Sequence, residues 1–216
     1  MDVKTLNENK YNGQVAQDLY VLKCLNYKKN GTFLEIGSND PVKINNTYFL
    51  EKYYNWKGIM IEYDNKFTEQ YKIHRPLSKY IISDATKIDY KSEFEKFNMP
   101  DIIDYLQIDL EVSNNSTLNT LKLLDSQIME KYKFATVTFE HDIYTGNYFD
   151  TREESRKIFN KRGYVLVFAD VMNERNPFED WYVHPDLVDM NFINSVKSNI
   201  SKEYTEIVNK LINYKV

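Results

Sequence analysis

Apolar positions in this chain follow two rhythms. Val15, Leu19, Leu22 and Leu25 recur every three or four residues, which predicts a first helix. TFLEIG at 32–37 is instead a short apolar run closed by a glycine, which predicts a buried strand ending at Gly37. The alternation continues: a helix over 47–54, a second strand in GIMIEY, a third in YIISD beyond the His74-Arg75-Pro76 break, and a fourth over 103–110. Pro100 blocks helix ahead of that fourth strand. Leu118, Leu121 and Leu124 mark a helix over 116–124, and the β-branched stretch 134–139 reads as a fifth strand. A charged helix over 151–162 stops at Gly163, with a sixth strand at 164–169 and a short seventh at 181–183.

Short strands alternating with helices imply a mostly parallel sheet with crossover helices, an α/β, Rossmann-like fold. From Asn194 onward, Val196, Ile200, Tyr204, Ile207, Val208 and Leu211 keep helical spacing. One C-terminal helix is expected there, docked on the core or serving as the contact in a homo-oligomer. The expected organisation is one domain: an N-terminal helical segment (1–30), a Rossmann-like core (31–190) and a C-terminal helix (191–216).

Composition narrows the function classes. With 42% hydrophobic and 28% charged residues the chain is ordinary globular material. A net charge of −4 argues against a nucleic-acid partner, which calls for a basic footprint. Cys24 is the one cysteine, so no internal disulfide forms, and its apolar surroundings make it a small core residue. The polar start MDVKTLNENKYNG has no apolar signal core and no run is long enough to span a bilayer, so a soluble, cytoplasmic protein is expected. Abundant Asn, Lys, Ile and Tyr, residues with A/T-rich codons, suggest an AT-rich source genome such as that of a large DNA virus.

Ligands of open α/β sheets bind at the carboxyl ends of the strands, and four such ends here carry suitable chemistry. The first is Glu35-Ile36-Gly37-Ser38-Asn39-Asp40, where a glycine turn admits close backbone approach and polar groups can hold a methionyl amino and carboxylate. The second ends in Glu62, a carboxylate able to accept from both hydroxyls of a ribose. The third, Ile82-Ser83-Asp84-Ala85, offers an acid and a backbone N–H to an adenine, and the fourth, LQIDLE, sets Asp109 and Glu111 at the rim. Each acid alone reads as a solvated strand end or helix cap; four in register read as a nucleoside-cofactor site. A single glycine in the turn, rather than G-x-G-x-x-G, disfavours a dinucleotide.

The order of GQVAQDLYVL, NGTFLEIGSND, NNTYFLEKYYNWKGIMIEYD, IDYLQIDLE, VTFEHDIYTG, RKIFNKRGYVLVFADV and PFEDWYVHPDL resembles the FkbM-type family of class I methyltransferases, over about Gln14 to Leu187. The resemblance implies a seven-stranded Rossmann-like methyltransferase fold, S-adenosyl-L-methionine as cofactor, and methyl transfer to an oxygen of a sugar or other small molecule. It puts Glu35, Gly37, Glu62 and Asp84 on cofactor-binding positions. The full cofactor set expected is Gln17, Glu35, Gly37, Ser38, Asn39, Asn46, Glu62, Tyr63, Ser83, Asp84, Ala85, Asp109 and Leu110. Pro41-Val42 and LEVSNNST depart from the family pattern after the first and fourth strands.

A hydroxyl acceptor calls for a base or a metal. Glu140-His141-Asp142 ends the fifth strand, and His141 has the intrinsic basicity for proton abstraction near neutrality. The expected catalytic residues are therefore His141, Asp109 and Glu111. The open alternative is Mg²⁺ or Mn²⁺ held by Asp109, Glu140 and His141. PFEDWYVHP, with Trp181 and His184, is either part of a sugar pocket or a packing strand. The expected partner is a small-molecule or glycan acceptor; the competing class is a non-catalytic module of the same fold inside a glycan-modifying assembly.

Overall fold

The computed structural model describes residues 11–214. The N-terminal stretch 1–10, most of the segment read as lacking a signal, and 215–216 at the end of the tail lie outside them. Among the described residues seven strands form one sheet: β1 (Thr32–Ile36), β2 (Lys57–Glu62), β3 (Lys79–Ile82), β4 (Ile102–Ile108), β5 (Lys133–Glu140), β6 (Val165–Asn173) and β7 (Asn176–Val183). Their order is β3-β2-β1-β4-β5-β7-β6. All neighbours are parallel except at β7, which runs antiparallel between β5 and β6. This is a Rossmann-like α/β fold. The short seventh strand is therefore longer than its apolar tip suggested and sits inside the sheet, which buries Trp181, Tyr182 and Val183.

Helices cover both faces, as a parallel sheet requires. Against one face pack α1 (Gln17–Cys24), α2 (Tyr48–Tyr54), α3 (Thr68–His74), α7 (Met190–Val196) and α8 (Tyr204–Asn213), through Tyr20, Leu50, Tyr71, Ile193 and Leu211 among others. The other face is covered by α4 (Tyr90–Lys96), α5 (Ser116–Gln127) and α6 (Phe149–Lys161), through Phe94, Leu121, Leu124 and Phe159. The helices α3 and α4 escape the periodicity because each is seven residues long and buries only one or two aromatic side chains.

The tail corrects the expected single helix. α7 ends at Val196 and α8 begins at Tyr204, and Ile200 between them is 73% exposed. The intervening chain runs along β6, where Ser198 N donates to Val167 O at 2.8 Å and Met172 N donates to Lys202 O at 2.8 Å. Backbone polar groups on the free edge of β6 are thereby paired, and an unpaired edge is a liability that folds commonly cover. α8 then docks on α1, with Val208 against Ala16 and Leu19. No helix among the described residues is long and apolar enough to cross a membrane.

One buried cation ties the turn after β1 to its surroundings. The Arg75 side chain is fully buried just beyond α3, where Nε donates to Glu51 Oε2 at 3.0 Å and Nη2 to Thr47 Oγ1 at 2.6 Å. Nη1 donates to Asn45 Oδ1 at 2.9 Å and Pro41 O at 3.3 Å, and lies 3.8 Å from Glu35 Oε2. Glu35 in turn accepts from Thr47 Oγ1 at 2.8 Å and Asn45 Nδ2 at 3.2 Å. Removing one partner of such a network strands buried charge, at a cost of about 3–5 kcal/mol. Arg75→Met is accordingly expected to lower unfolding free energy by about that amount in urea denaturation; a loss below about 1 kcal/mol would show the network to be dispensable.

Candidate functional site

The chain reverses its direction of winding between β1 and β4, the position where open α/β sheets place a ligand crevice. Two cavities open there. The larger, 660 Å³, is lined by Glu35, Gly37, Asn46, Glu62, Gln107 and Asp109. The smaller, 380 Å³, is lined by Tyr63, Ser83, Asp84, Ala85, Glu111 and Asn114. Leu110 borders both.

Gly37 is dictated by space. Its φ is +82°, and a Cβ there would lie 1.7 Å from Asp109 O. Only glycine lets the β1 turn lie against the end of β4 in this way. Beyond it Ser38 is buried, hydrogen-bonded to Ile61 O at 3.2 Å and Tyr71 Oη at 2.9 Å, and Asn39 takes a positive φ of 48°. Glu62 ends β2 half-buried, with Oε2 accepting from Asn39 N at 2.7 Å and Oε1 from Asp64 N at 2.8 Å. Each carboxylate oxygen retains a lone pair toward the cavity, since a carboxylate accepts at about four sites.

The smaller cavity has a different character. Asp84 caps a 3-10 turn, accepting from Thr86 N at 3.0 Å and Thr86 Oγ1 at 2.6 Å and pairing with Lys87 at 2.9 Å. Those hydrogen bonds hold its carboxyl down at about 2. Ser83 N is spent on Glu62 O at 2.9 Å, Ala85 is buried, and the Tyr63 ring stands 77% exposed at the mouth. Glu111 is exposed, lines this cavity and accepts from Ser113 N at 3.0 Å.

In the larger cavity two amide oxygens are conspicuous. Asn46 Oδ1 and Gln107 Oε1 are buried and meet no donor among the described residues. A buried acceptor without a donor is costly, so these oxygens mark where an N–H group belongs. Glu35 lies in the same wall, but its carboxylate is committed to Thr47, Asn45 and Arg75; burial raises its pKa and Arg75 pulls it back. Glu35 therefore holds the turn. Gln17, expected among the cofactor residues, lies outside the lining of both cavities: Nε2 donates to Glu179 Oε1 at 3.0 Å and Oε1 accepts from Val15 N at 3.0 Å.

Strand register sets the rim. Ile108 pairs with Phe139, so Asp109 falls beside Glu140, and Glu140 pairs with Glu179 across β7. One residue row deeper, Gln107 pairs with Thr138, and Thr138 with Trp181. A row of three acids thus stands above a floor of amide, hydroxyl and indole. Asp109 and Glu140 stand side by side at the ends of β4 and β5. Burial raises both, and repulsion from Asp109 pushes Glu140 well above the usual range. Burial and Asp109 also raise Asp142 to about 6, and burial raises Glu179 to about 8 despite hydrogen bonds from Trp181 Nε1 and Gln17.

His141 turns the other way. It is fully buried, with Nε2 3.5 Å from both Asp170 Oδ1 and Asp180 Oδ1. Asp180 lies one register position from Glu179 and so on the opposite face of the sheet. Arg156 grips Asp180 through Nε at 2.7 Å and Nη2 at 2.8 Å, and reaches Asp170 at 2.9 Å. Burial alone would raise Asp180, but Arg156 and His141 hold it far below the usual carboxylate range. Two expectations are corrected by this alternation. His141 does not face Asp109 as a base, and Asp109, Glu140 and His141 do not converge as metal ligands. Among the described residues the His/Cys/Asp/Glu group with converging ligand atoms is His141, Asp170 and Asp180, whose acids already have arginine partners. His184 also leaves the site: its N donates to Ala135 O at 2.9 Å, near the far end of β5, and Nδ1 accepts from Asp186 N at 3.3 Å.

Sequence reasoning missed Arg75, Asn45, Gln107 and Glu179. Gln107 was detectable, because its alternation with Asp109 on β4 puts both on one face. Arg75 was not, because its partners come from three separate segments.

Solved structures share this architecture. The chain superposes on a candidate O-methyltransferase from Klebsiella pneumoniae with a TM-score of 0.54 and 10% identity, covering 78% of this chain and 79% of that one. A candidate rRNA methylase from Clostridium thermocellum gives 0.52 at 13% identity, over 81% and 97% of the two chains. A TehB-like SAM-dependent methyltransferase from Corynebacterium glutamicum gives 0.50 at 9% identity, over 78% and 87%. These likenesses are of fold. No family model matches the chain, and no curated protein matches it.

Glu179 offers a test of the rim's electrostatics. A carboxyl that holds its proton to about 8 when folded but has an ordinary value of 4.5 contributes stability below the ordinary value. That contribution is lost as pH rises through the folded pKa. Glu179→Gln keeps an acceptor for Gln17 and Trp181 and cannot ionise. Its melting temperature, by calorimetry, is expected to gain on wild type between about pH 5 and pH 9; a constant gap would mean Glu179 ionises normally.

Proposed function

We propose that this protein is an S-adenosylmethionine-dependent methyltransferase acting on a hydroxyl of a small molecule, a sugar of a glycan or glycolipid being the acceptor the FkbM-type resemblance implies. One observation carries the reading: Glu62 and the unpartnered oxygens of Asn46 and Gln107 line the same 660 Å³ cavity at the switch point. A carboxylate for ribose hydroxyls and amide oxygens for an ammonium are the donor set a nucleoside–amino-acid conjugate satisfies. Gly37 borders the same cavity, and its lack of a Cβ lets the β1 turn lie against the end of β4 there.

When bound, S-adenosylmethionine supplies an electrophilic methyl on a positively charged sulfur. Glu62 accepts from the ribose hydroxyls, Asn46 and Gln107 accept from the amino group, and Asp84 with the Ala85 N–H borders the base in the smaller cavity. Leu110, common to both cavities, gives the apolar divider. Asp109 and Glu140 take the part assigned above to His141. A carboxylate oxygen of the two would serve as the base. As the acceptor oxygen gains the methyl and the carbon–sulfur bond breaks, its proton passes to that pair. No metal enters this reading.

Isothermal titration should show S-adenosylhomocysteine binding to the wild-type protein, weakened about tenfold or more in Glu62→Ala. Absence of binding heat in the wild type would sink the reading. Glu140→Gln is expected to bind S-adenosylhomocysteine normally and lose about 10²–10⁴ in methyl transfer. His141→Ala, per folded molecule, should transfer within a few-fold of wild type, and the reverse pattern would restore His141 as the base. Transfer of labelled methyl to an extracted glycan pool separates an enzyme from a non-catalytic module.

A further inference from the structure

We propose that a groove at the amino ends of β1, β2 and β3 is a second binding site, for a nucleotide-like ligand: a phosphate group joined to a flat ring. The site is separate from the cofactor cavities and does not depend on the methyl-transfer reading. Lys57 in the groove and Glu62 in the cofactor cavity stand at opposite ends of β2, roughly 17 Å apart along the strand.

Three cavities run together there. The first, 420 Å³, is lined by Thr32, Lys57, Lys79 and Phe97 among others. It shares Lys79 and Phe97 with a second of 490 Å³, and Lys57 and Leu77 with a third of 260 Å³. Strand register explains the convergence. Thr32 pairs with Lys57 and Ile59 pairs with Lys79, so all four side chains project to one face of the sheet. On that face α4 ends at Lys96, and the chain from Phe97 to Pro100 forms one wall of the groove. The charge is opposite to that of the crevice at the far end of the sheet. Glu62, Asp84 and Asp109 line the cavities there, whereas among the described residues no aspartate or glutamate lines any of these three. Lys57, Lys72, Lys79 and Lys96 do, in a chain whose net charge is −4. Lys72 and Lys96 have exposed partners in Glu69 at 2.5 Å and Glu93 at 3.1 Å, contacts of small energetic weight. Lys57 and Lys79 form no ion pair among the described residues, and both are exposed.

Two further observations select the ligand. Thr32 Oγ1, in register with Lys57, is buried and meets no partner among the described residues. Asp104, the acid that accepts from Thr32 N at 2.9 Å, is already paired with Lys28 at 2.6 Å. A buried hydroxyl with nothing to bind is costly, and a phosphate oxygen held by the two ammonium groups supplies its acceptor. In the 490 Å³ cavity the half-buried Tyr80 ring stacks on the buried Tyr71 ring, with centroids 5.6 Å apart at 17°. An aromatic ring held flat beside lysines suits the stacking of a base, and Phe97 lines both this cavity and the first. The apolar stretch formed by Leu77 and Phe97 is short and has lysines at both ends, which fits a ring and not a long acyl chain. The negative charge of the whole chain favours a small anion over a nucleic-acid strand.

Isothermal titration of uridine diphosphate into the intact protein, at about 0.05 M salt, tests the site. A dissociation constant of about 0.1 mM or tighter is expected. Uridine, which lacks the phosphates, and pyrophosphate, which lacks the ring, should each bind about tenfold or more weakly than the diphosphate. Lys57→Gln/Lys79→Gln changes two exposed side chains without ion pairs, so it leaves the fold intact, and it should weaken the diphosphate about tenfold or more. Saturating S-adenosylhomocysteine should alter that affinity by less than about twofold. Absence of binding heat up to about 5 mM, an affinity unchanged in the double variant, or displacement by S-adenosylhomocysteine overturns the site. Pyrophosphate bound as tightly as the diphosphate overturns the ring, and affinity for oligouridylate that climbs with its length overturns the small ligand in favour of a strand. Diphosphate binding by a protein silent to S-adenosylhomocysteine keeps the groove and removes methyl transfer.

Discussion

The Arg75 guanidinium is the fixed point about which the candidate site is arranged. It is reached from β1 through Glu35, from the 38–46 turn through Pro41 and Asn45, and from α2 through Thr47 and Glu51. No single one of these segments has enough apolar surface to hold the turn over a cavity. The turn is mostly polar and includes positive φ values at Asn39 and Ile44, the latter a β-branched residue 67% exposed. A buried charge with five donors holds such a backbone because each donor specifies a direction, which apolar packing does not. With the turn held, Gly37 can lie against Asp109 and the two ends of the switch point stay in contact.

The fold was legible wherever a buried parallel strand leaves a contiguous apolar run, and β1, β2, β4 and β5 do so. β7 is the instructive exception. Its sequence NPFEDWYV carries two acids in what proves to be an interior strand, because Glu179 and Asp180 project to opposite faces and each is given partners there. Polar residues in an interior strand look like a loop until those partners are known. The tail misled for the converse reason. Ile200 fits the helical period, but the chain there is used to pair the edge of β6.

For the site, sequence alone grouped residues by shared strand ends, and Glu62, Asp84 and Asp109 border the two cavities. It did not reveal which side chains are already occupied. Glu35 lines the larger cavity but its carboxylate is spent inside the protein, as are the polar atoms of Gln17, whereas Asn46 and Gln107 are buried with an oxygen to spare. That distinction depends on contacts between segments far apart in the chain, which local pattern does not encode.

Glu140 and His141 show how much turns on one step of register. They are adjacent, and the period of two sends one to each face of the sheet. On the His141 side the acids are neutralised by Arg152 and Arg156, and the cluster locks α6 to β6 and β7. On the Glu140 side burial and the neighbouring Asp109 carboxyl raise the Glu140 pKa well above its usual value, and Glu179 is held by Gln17 and Trp181. Two differently paired groups of acids thus lie on opposite faces of a single sheet layer. The locked side fixes the ends of β5 and β7, and the register then determines how closely Asp109, Glu140 and Glu179 approach. Repulsion within that row is sustained because the strands beneath it cannot spread apart.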